Sequence, residues 1–261
     1  MTEIIKKIHY CWFGGNEFPD SAKKCIDSWK QFFPDYEIIQ WNEENFDVNI
    51  CRYTREAYSK KKWAFVSDYA RFRILYEHGG LYFDTDVEVI RKMDDILKRG
   101  SFMGCEGRSI NTGLGLYAAP GLGLYAAILD YYERESFLLK DGTSNLKTVV
   151  TRVTQILEQY GFDKRKDNEI QNVEGVYIYP PDYFAPMDYA TRKLVITENT
   201  RSIHHYDNSW YDERNIYWQK LRLRLNRFMP NALSARTALI ISLVKFGGAR
   251  GLVDYFRYRE K

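Results

Sequence analysis

The sequence predicts an α/β fold with a mainly parallel sheet, followed by a basic helical extension at the C-terminal end. Strand-like and helix-like patterns alternate through the first ninety residues, as expected for βαβ units. At 261 residues, the chain is long enough for one large domain with an appendage. The charge is uneven, because residues 211–261 hold 11 Lys and Arg against 4 Asp and Glu, whereas the whole chain carries only +3.

The first three elements follow from apolar spacing and from turn residues. Residues 4–12 are rich in apolar and aromatic side chains and end at Gly14-Gly15, which predicts a first strand. In residues 21–33 apolar side chains recur every three to four positions, and this predicts a helix that ends before Pro34. Residues 36–41 form a second short strand.

A second helix is predicted over residues 65–78. Its pattern places four aromatic side chains on one face, those of Phe65, Tyr69, Phe72 and Tyr76. The pair Gly79-Gly80 ends this helix, and a third strand follows at once. Strand, helix, strand, helix and strand therefore succeed one another within the first ninety residues.

The later elements are assigned in the same way. In chain order they are a strand near 102–104, a glycine-rich stretch over 111–123, helices over 122–135 and 146–160, and a strand over 176–179. In the extension, Trp218, Leu221, Leu225 and Phe228 repeat at helical spacing beside arginines. A basic amphipathic helix of this kind suits an anionic membrane surface, and packing on the main domain or self-association is the alternative.

The most informative motif is Asp84-Thr85-Asp86, which follows the apolar residues 81–83. In an extended strand the two acids point to the same side, because side chains alternate. A pair of carboxylates suits Mg²⁺ or Mn²⁺, and such an ion can neutralise a diphosphate leaving group. Solvated surface is the alternative for an isolated Asp-x-Asp. The buried strand before it favours a ligand site, because ligands of α/β sheets bind beyond the carboxyl ends of strands.

Composition excludes several other classes. The net charge of +3 is too small to indicate nucleic-acid binding. The four cysteines form no Cys-x-x-Cys pair, which argues against structural zinc and for reduced thiols in the cytosol. We expect neither a signal peptide nor a membrane-spanning helix, because long apolar runs are missing. The 16% aromatic content suits either a core or platforms for bases and sugars.

Four separated blocks, in order, resemble glycosyltransferase family 32 in its bacterial capsular-polysaccharide branch. The blocks are Ile8–Gly15, Ser67–Arg71, Gly79–Asp86 and Ser202–Trp210. More distantly, the chain is similar to the glucosyltransferase domains of large clostridial toxins. The resemblance implies a single GT-A (Rossmann-like) domain over residues 1–210, with the basic helical tail at 211–261 outside it. It also implies a retaining, metal-dependent transferase that uses a nucleotide-diphospho-sugar.

The resemblance also implies roles for individual residues. His9 and Trp12 would contact the nucleotide, and a buried core aromatic is the alternative for Trp12. Asp68 and Arg71 lie three residues apart on one helix face and would reach the donor sugar hydroxyls and the diphosphate. Their alternative is an ordinary salt bridge. Asp84 would contact the ribose, the donor sugar or a metal-bound water, and Asp86 would ligate the metal.

The fourth block would supply the far side of the site. His205 is our choice as the third metal ligand, with His204, Asp207 and Asn208 left open. Ser209 and the indole N–H of Trp210 would face the phosphates. Asn111, which precedes Thr112-Gly113, would touch the donor sugar or the acceptor, or would serve only as a turn residue.

We therefore expect a Mn²⁺- or Mg²⁺-dependent hexosyltransferase. A UDP-sugar is favoured as donor and GDP-mannose remains open. The acceptor would be a lipid-linked glycan of capsule, O-antigen or exopolysaccharide synthesis. The protein would be cytoplasmic and peripheral at the inner face of the membrane. Two other functions remain open: a metal-dependent nucleotidyl or phosphoryl transferase, and a carbohydrate-binding protein with an inactive site.

Overall fold

The computed structural model describes residues 4–207 and 213–259, with side chains described up to residue 248. Asn208, Ser209 and Trp210 lie outside the described residues. The chain divides into two compact units. The first unit comprises Met1–Met187 and Val195–His205, and the second comprises Asp188–Leu194 and Tyr206–Lys261.

The strands are β1 (Lys7–Cys11), β2 (Glu37–Trp41), β3 (Gly80–Tyr82), β4 (Val87–Val89), β5 (Phe102–Glu106), β6 (Ser109–Ala118), β7 (Gln171–Val173), β8 (Val176–Tyr179) and β9 (Ser202–His204). The helices are α1 (Asp20–Phe32), α2 (Arg52–Ser59), α3 (Trp63–His78), α4 (Asp94–Arg99), α5 (Gly123–Arg134), α6 (Val149–Gln159), α7 (Pro181–Phe184), α8 (Glu213–Leu225) and α9 (Asn231–Arg259).

The first unit is built on a seven-stranded sheet in the order β2-β1-β3-β6-β5-β8-β7. The strand pairings give five of the seven strands one direction, and β6 and β7 run against them. A separate two-stranded sheet pairs β4 with β9. The prediction of an α/β fold with a mainly parallel sheet is therefore confirmed.

Both faces of the main sheet are buried. Along β3 and the residue after it, Leu81 and Phe83 belong to one hydrophobic cluster and Tyr82 belongs to the other. Phe102 and Met103 on β5 divide in the same way. This alternation follows from the two-residue period of a strand, and it explains why these strands read as continuous apolar runs.

The glycine-rich stretch over 111–123, to which the sequence analysis assigned no element, begins within the ten-residue strand β6. Glycines serve close packing there. A Cβ atom on Gly115 would lie 2.9 Å from the ring of Phe83, which is too close for a methyl group. The missing side chain lets β6 pass over the core aromatic.

The second unit contains α8 and α9. The helix α9 is interrupted at Gly248, whose φ of 59° is not helical. In the described part of the chain, no helix combines the length and the apolar character needed to cross a membrane.

Candidate functional site

The Asp84-Thr85-Asp86 motif lies in a turn between β3 and β4 and not in a strand, which corrects the sequence prediction. The amide of Val87 donates to the carbonyl of Asp84 at 3.1 Å and closes the turn. The chain turns here because β4 leaves the main sheet to pair with β9. The amide of Asp84 donates to the Gly113 carbonyl at 3.1 Å and ties the start of the turn to β6.

The turn brings the two acids together with a histidine from a distant part of the chain. Within the described residues, Asp84, Asp86 and His204 each offer one ligand atom, and these atoms lie within 4.8 Å of one another. The register of the small sheet sets Val87 opposite His204. The Nε2 atom of His204 lies 3.2 Å from Oδ1 of Asp86.

The donor set fits a divalent cation. Carboxylate oxygens suit Mg²⁺ and Mn²⁺, and imidazole is a common ligand of the first-row transition metals. Burial acts to lower the pKa of His204, but the neighbouring Asp86 outweighs it and the pKa is raised. The raised pKa favours a protonated ring whose positive charge faces Asp86. Because a ligating imidazole must be neutral, a cation bound here would displace this proton and supply the positive charge in its place.

Arg71 is the buried centre of a polar network beside the metal-ligand cluster. Its guanidinium nitrogens lie 3.3 Å from Oδ1 of Asp68 and 3.2 Å from Oδ1 of Asp84. It also donates to the hydroxyl of Thr112 at 3.2 Å, and its Nε donates to the Ser67 carbonyl at 3.1 Å. Every guanidinium nitrogen is thus engaged within the protein. Arg71 therefore holds the two carboxylates in place, whereas the resemblance implied contact with a diphosphate.

Asp68 has the properties of a functional carboxyl group. Burial raises its pKa to about 7, with Asp84 adding to the rise and with Arg71 and Arg152 opposing it. A carboxyl group that titrates near neutral pH can accept or donate a hydrogen bond to a sugar hydroxyl. Perturbed groups of this kind concentrate at functional sites.

Residues of β6 support Asp84 from behind. Oδ1 of Asn111 accepts from the amide of Gly113 at 2.9 Å, and its amide nitrogen donates to Glu106 at 2.7 Å. Asn111 is therefore occupied within the protein, and its side chain braces the strand. A Cβ atom on Gly113 would lie 2.1 Å from Oδ2 of Asp84, so only glycine fits beside this carboxylate.

We expect Gly113→Ala to displace Asp84 and to weaken Mn²⁺ binding by the cluster about 10- to 100-fold, because groups that orient metal ligands have effects of this size. Overpacking should also lower the free energy of unfolding by about 1–3 kcal/mol. The matched control is Gly123→Ala, where a Cβ atom would meet nothing within 4 Å. Equal Mn²⁺ affinities of the two variants in calorimetry would contradict the role assigned to Gly113.

His9 lies in the core and has no ring nitrogen left for a nucleotide. Its side chain is fully buried. The indole N–H of Trp41 donates to Nδ1 of His9 at 3.0 Å, and Nε2 lies 3.0 Å from the Gly79 carbonyl. Because an indole can only donate, the neutral ring carries its proton on Nε2. His9 thus links β1, β2 and the end of α3.

The titration of His9 predicts a pH dependence of stability. Burial lowers its pKa to about 4, with the charges of His78 and Lys7 adding to this and the bond to Gly79 opposing it. A lowered native pKa means that the unfolded chain binds the proton first. The contribution of His9 is therefore present above about pH 6.5 and is lost towards pH 4, by about 2 kcal/mol at pH 5.

We expect urea denaturation to show this loss as a smaller difference in stability between wild type and His9→Gln at low pH. The advantage of wild type over His9→Gln in the free energy of unfolding should shrink by about 2 kcal/mol between about pH 7.5 and about pH 5. A constant difference over that range would mean that His9 keeps its ordinary pKa in the fold.

Trp12 and His205 also have partners away from the metal-ligand cluster. Trp12 donates to the Asn16 carbonyl at 2.7 Å and stacks on Phe18 with ring centroids 4.3 Å apart. The Nε2 atom of His205 lies 2.8 Å from Oε2 of Glu88. The structure thus brings His204, and not the predicted His205, to the aspartates, because neighbouring side chains at a strand end point to opposite sides.

Three supporting residues were missed by sequence reasoning: Tyr82, Thr112 and Gly113. The hydroxyl of Tyr82 donates to Oδ1 of Asp84 at 3.0 Å, and its ring lies under the Arg71 guanidinium at 5.0 Å. Tyr82 stands two residues before Asp84, so the period of the strand could have indicated it. No local pattern pointed to Gly113, because its role depends on the approach of a distant segment.

Comparisons with known proteins agree with this site. Residues 19–103 match the family described as "Glycosyltransferase sugar-binding region containing DXD motif". "Inositol phosphoceramide mannosyltransferase 3" of Schizosaccharomyces pombe is 33% identical over 106 residues, which are 36% of this chain and 27% of that protein. "Inositol phosphoceramide mannosyltransferase 1" of the same organism is 30% identical, over 40% of this chain and 34% of that protein. The chain thus spans about a third or less of the length of these relatives.

Among solved structures, "PaToxG Glycosyltransferase" aligns with a TM-score of 0.45 and 19% identity, over 60% of this chain and 69% of that one. The family match contains α1, α3 and the turn after β3, and so includes Asp68, Arg71 and both aspartates. The predicted relation to glycosyltransferases is confirmed at this level, and the capsular branch stays a prediction. Residues 19–103 are thus similar to the sugar-binding region of DXD-containing glycosyltransferases, and Asp84-Thr85-Asp86 lies within the matched range.

Proposed function

We propose that this protein transfers a hexose from a nucleotide-diphospho-sugar to a glycan acceptor. One observation carries the proposal: the cluster of Asp84, Asp86 and His204 lies beside the Arg71 network, within and next to a matched sugar-binding region. Acidic ligands for a cation next to a buried, titratable carboxyl group suit a substrate that combines a diphosphate with sugar hydroxyls.

Different residues of this chain would hold the cation and bind the donor sugar. Asp86 and His204 would hold Mn²⁺ or Mg²⁺, with Asp84 fixed beside them by Tyr82 and Arg71. When bound, the ion would supply charge neutralisation for the leaving diphosphate. Asp68 keeps a carboxyl group beside Arg71 that can bond a donor hydroxyl.

The finer parts of the proposal concern donor, acceptor and stereochemistry. The family resemblance supports a UDP-linked hexose, retention of configuration and a lipid-linked acceptor of bacterial polysaccharide synthesis. The printed names of the two Schizosaccharomyces pombe relatives add mannose to the donors that must be tested. We propose a front-face reaction in which the leaving diphosphate oxygen takes the proton of the acceptor hydroxyl. Trapping of a glycosyl-enzyme adduct with donor alone would contradict it.

Donor hydrolysis tests the proposal directly. The purified protein is incubated with UDP-glucose, UDP-galactose, UDP-N-acetylglucosamine or GDP-mannose, with Mn²⁺ or with EDTA, beside Asp86→Ala. We expect slow release of nucleoside diphosphate from one donor, lost with EDTA and in the variant.

Other products would change the assignment. Release of pyrophosphate would favour nucleotidyl transfer. No release from any donor, together with no metal-dependent nucleotide binding by calorimetry, would contradict the proposed function.

A further inference from the structure

The second unit is a helical hairpin with large apolar side chains on its outside. Four of them lie along one side of α9: Leu233, Ile240, Ile241 and Val244 are 53%, 47%, 40% and 46% exposed. Phe228, in the connection between α8 and α9, is 84% exposed. A helix that faced only water would carry polar residues at these positions.

Small and polar side chains occupy the inner positions of the same hairpin. Ser234, Ala238 and Ser242 recur every four residues on the other side of α9 and are buried. The Ser234 hydroxyl donates to the side chain of Asn226 and, at 2.9 Å, to the Asn231 carbonyl. Leu243 is buried as well, so the inner side of α9 mixes small polar and apolar side chains, whereas four large aliphatic side chains lie outside.

On α8, a charged side chain also lies on the inside of the hairpin. Arg222 donates to the Tyr189 carbonyl at 3.1 Å, and its guanidinium lies 4.9 Å from the ring centres of both Tyr189 and Trp218. Gln219, one turn earlier, is also buried. The hairpin holds polar side chains inside and leaves aliphatic and aromatic side chains exposed outside.

The charge of the hairpin indicates which partner. Residues 213–248 contain seven Lys and Arg and a single acid, Glu213. Lys220, Arg224 and Arg227 are exposed, and Arg227 directly precedes Phe228. Two copies of such a surface would repel each other, because like charges would meet. An apolar layer rimmed by anions matches both properties, and a bilayer with acidic headgroups is such a layer.

We propose that the α8–α9 hairpin docks in the plane of an anionic lipid surface. Phe228 and the outer side of α9 enter the headgroup region, and the exposed arginines contact acidic headgroups. This surface activity is independent of the proposed transferase reaction, so it can be tested without a donor or an acceptor.

The test is vesicle flotation of the full chain. Vesicles of phosphatidylcholine, with and without phosphatidylglycerol, are mixed with wild type, with Ile240→Ser/Val244→Ser and with Phe228→Ser. We expect at least about tenfold more binding to the anionic vesicles, and loss of most of it in both variants. The matched control is Leu146→Ser, because Leu146 in the first unit is 58% exposed and should not contribute.

A charge variant tests the contacts with acidic headgroups separately from the insertion of apolar side chains. Arg224→Gln/Arg227→Gln should reduce binding about fivefold for each arginine, and salt should weaken wild-type binding in parallel. Far-UV circular dichroism checks that each variant keeps its helices. The salt titration on wild type still tests the proposal if a variant unfolds.

Four outcomes of the vesicle experiments would overturn the proposal. They are no binding to anionic vesicles, equal binding to neutral ones, binding that the apolar variants leave unchanged, and salt-insensitive binding. A dimer in sedimentation velocity that Ile240→Ser/Val244→Ser abolishes would also overturn it, because a second copy would then cover this side of α9.

Discussion

Replacing His204 by asparagine is expected to lower metal-dependent donor turnover about 100-fold or more, whereas the same change at His205 should lower it no more than about threefold. Loss of groups that stabilise developing charge has effects of 10²–10³ in rate. Of these two histidines, His204 shares the 4.8 Å cluster with Asp84 and Asp86, whereas His205 pairs with Glu88.

The neighbouring substitutions control for each other, since both remove one imidazole at the end of the same strand. Mn²⁺ binding, followed by calorimetry or electron paramagnetic resonance, should weaken in His204→Asn and stay near wild type in His205→Asn. The opposite order would restore His205 as the ligand that the sequence resemblance implied. Equal and small effects would mean that the cation is held without either histidine.

Replacing Arg71 by methionine is expected to lower the free energy of unfolding by about 3–5 kcal/mol. The arginine is almost fully buried between Asp68 and Asp84, at 3.3 Å and 3.2 Å. Methionine fills much of the same volume but leaves both carboxylates without their counter-charge. Urea denaturation measures the loss.

A surface pair provides the control for Arg71. Arg134→Met removes an ion pair with Asp130 in which both side chains are more than half exposed, and it should change stability by less than about 1 kcal/mol. The Arg71→Met deficit should also shrink as the pH falls, because a protonated Asp68 no longer needs a counter-charge. Burial already raises the pKa of Asp68 to about 7 with Arg71 in place. A deficit that did not vary with pH would contradict the charge argument.

Local patterns were enough to predict the class of fold and part of the site. Four predicted helices appear as α1, α3, α5 and α6, with ends shifted by up to three residues. Each has apolar side chains at helical spacing, and this spacing is visible without knowledge of any partner. The i, i+3 relation of Asp68 and Arg71 is equally local and reappears as a 3.3 Å ion pair.

The elements that sequence reasoning missed are short and depend on distant partners. The strands β4 and β9 have three residues each, and they form only because they pair with each other across more than a hundred residues. No period can be recognised in three residues. That pairing also pulls the chain out of the main sheet at Asp84 and makes the motif a turn.

The sequence by itself determined that this chain is α/β, where its paired aspartates stand, and that a basic segment follows. Tertiary structure decided which histidine meets the aspartates, why position 113 must be glycine and that His9 belongs to the core. The physical reason is the range of the interactions. Helix periodicity and charge are properties of neighbouring residues, whereas the ligand choice depends on the register between β4 and β9, where a shift of one residue would exchange His204 for His205.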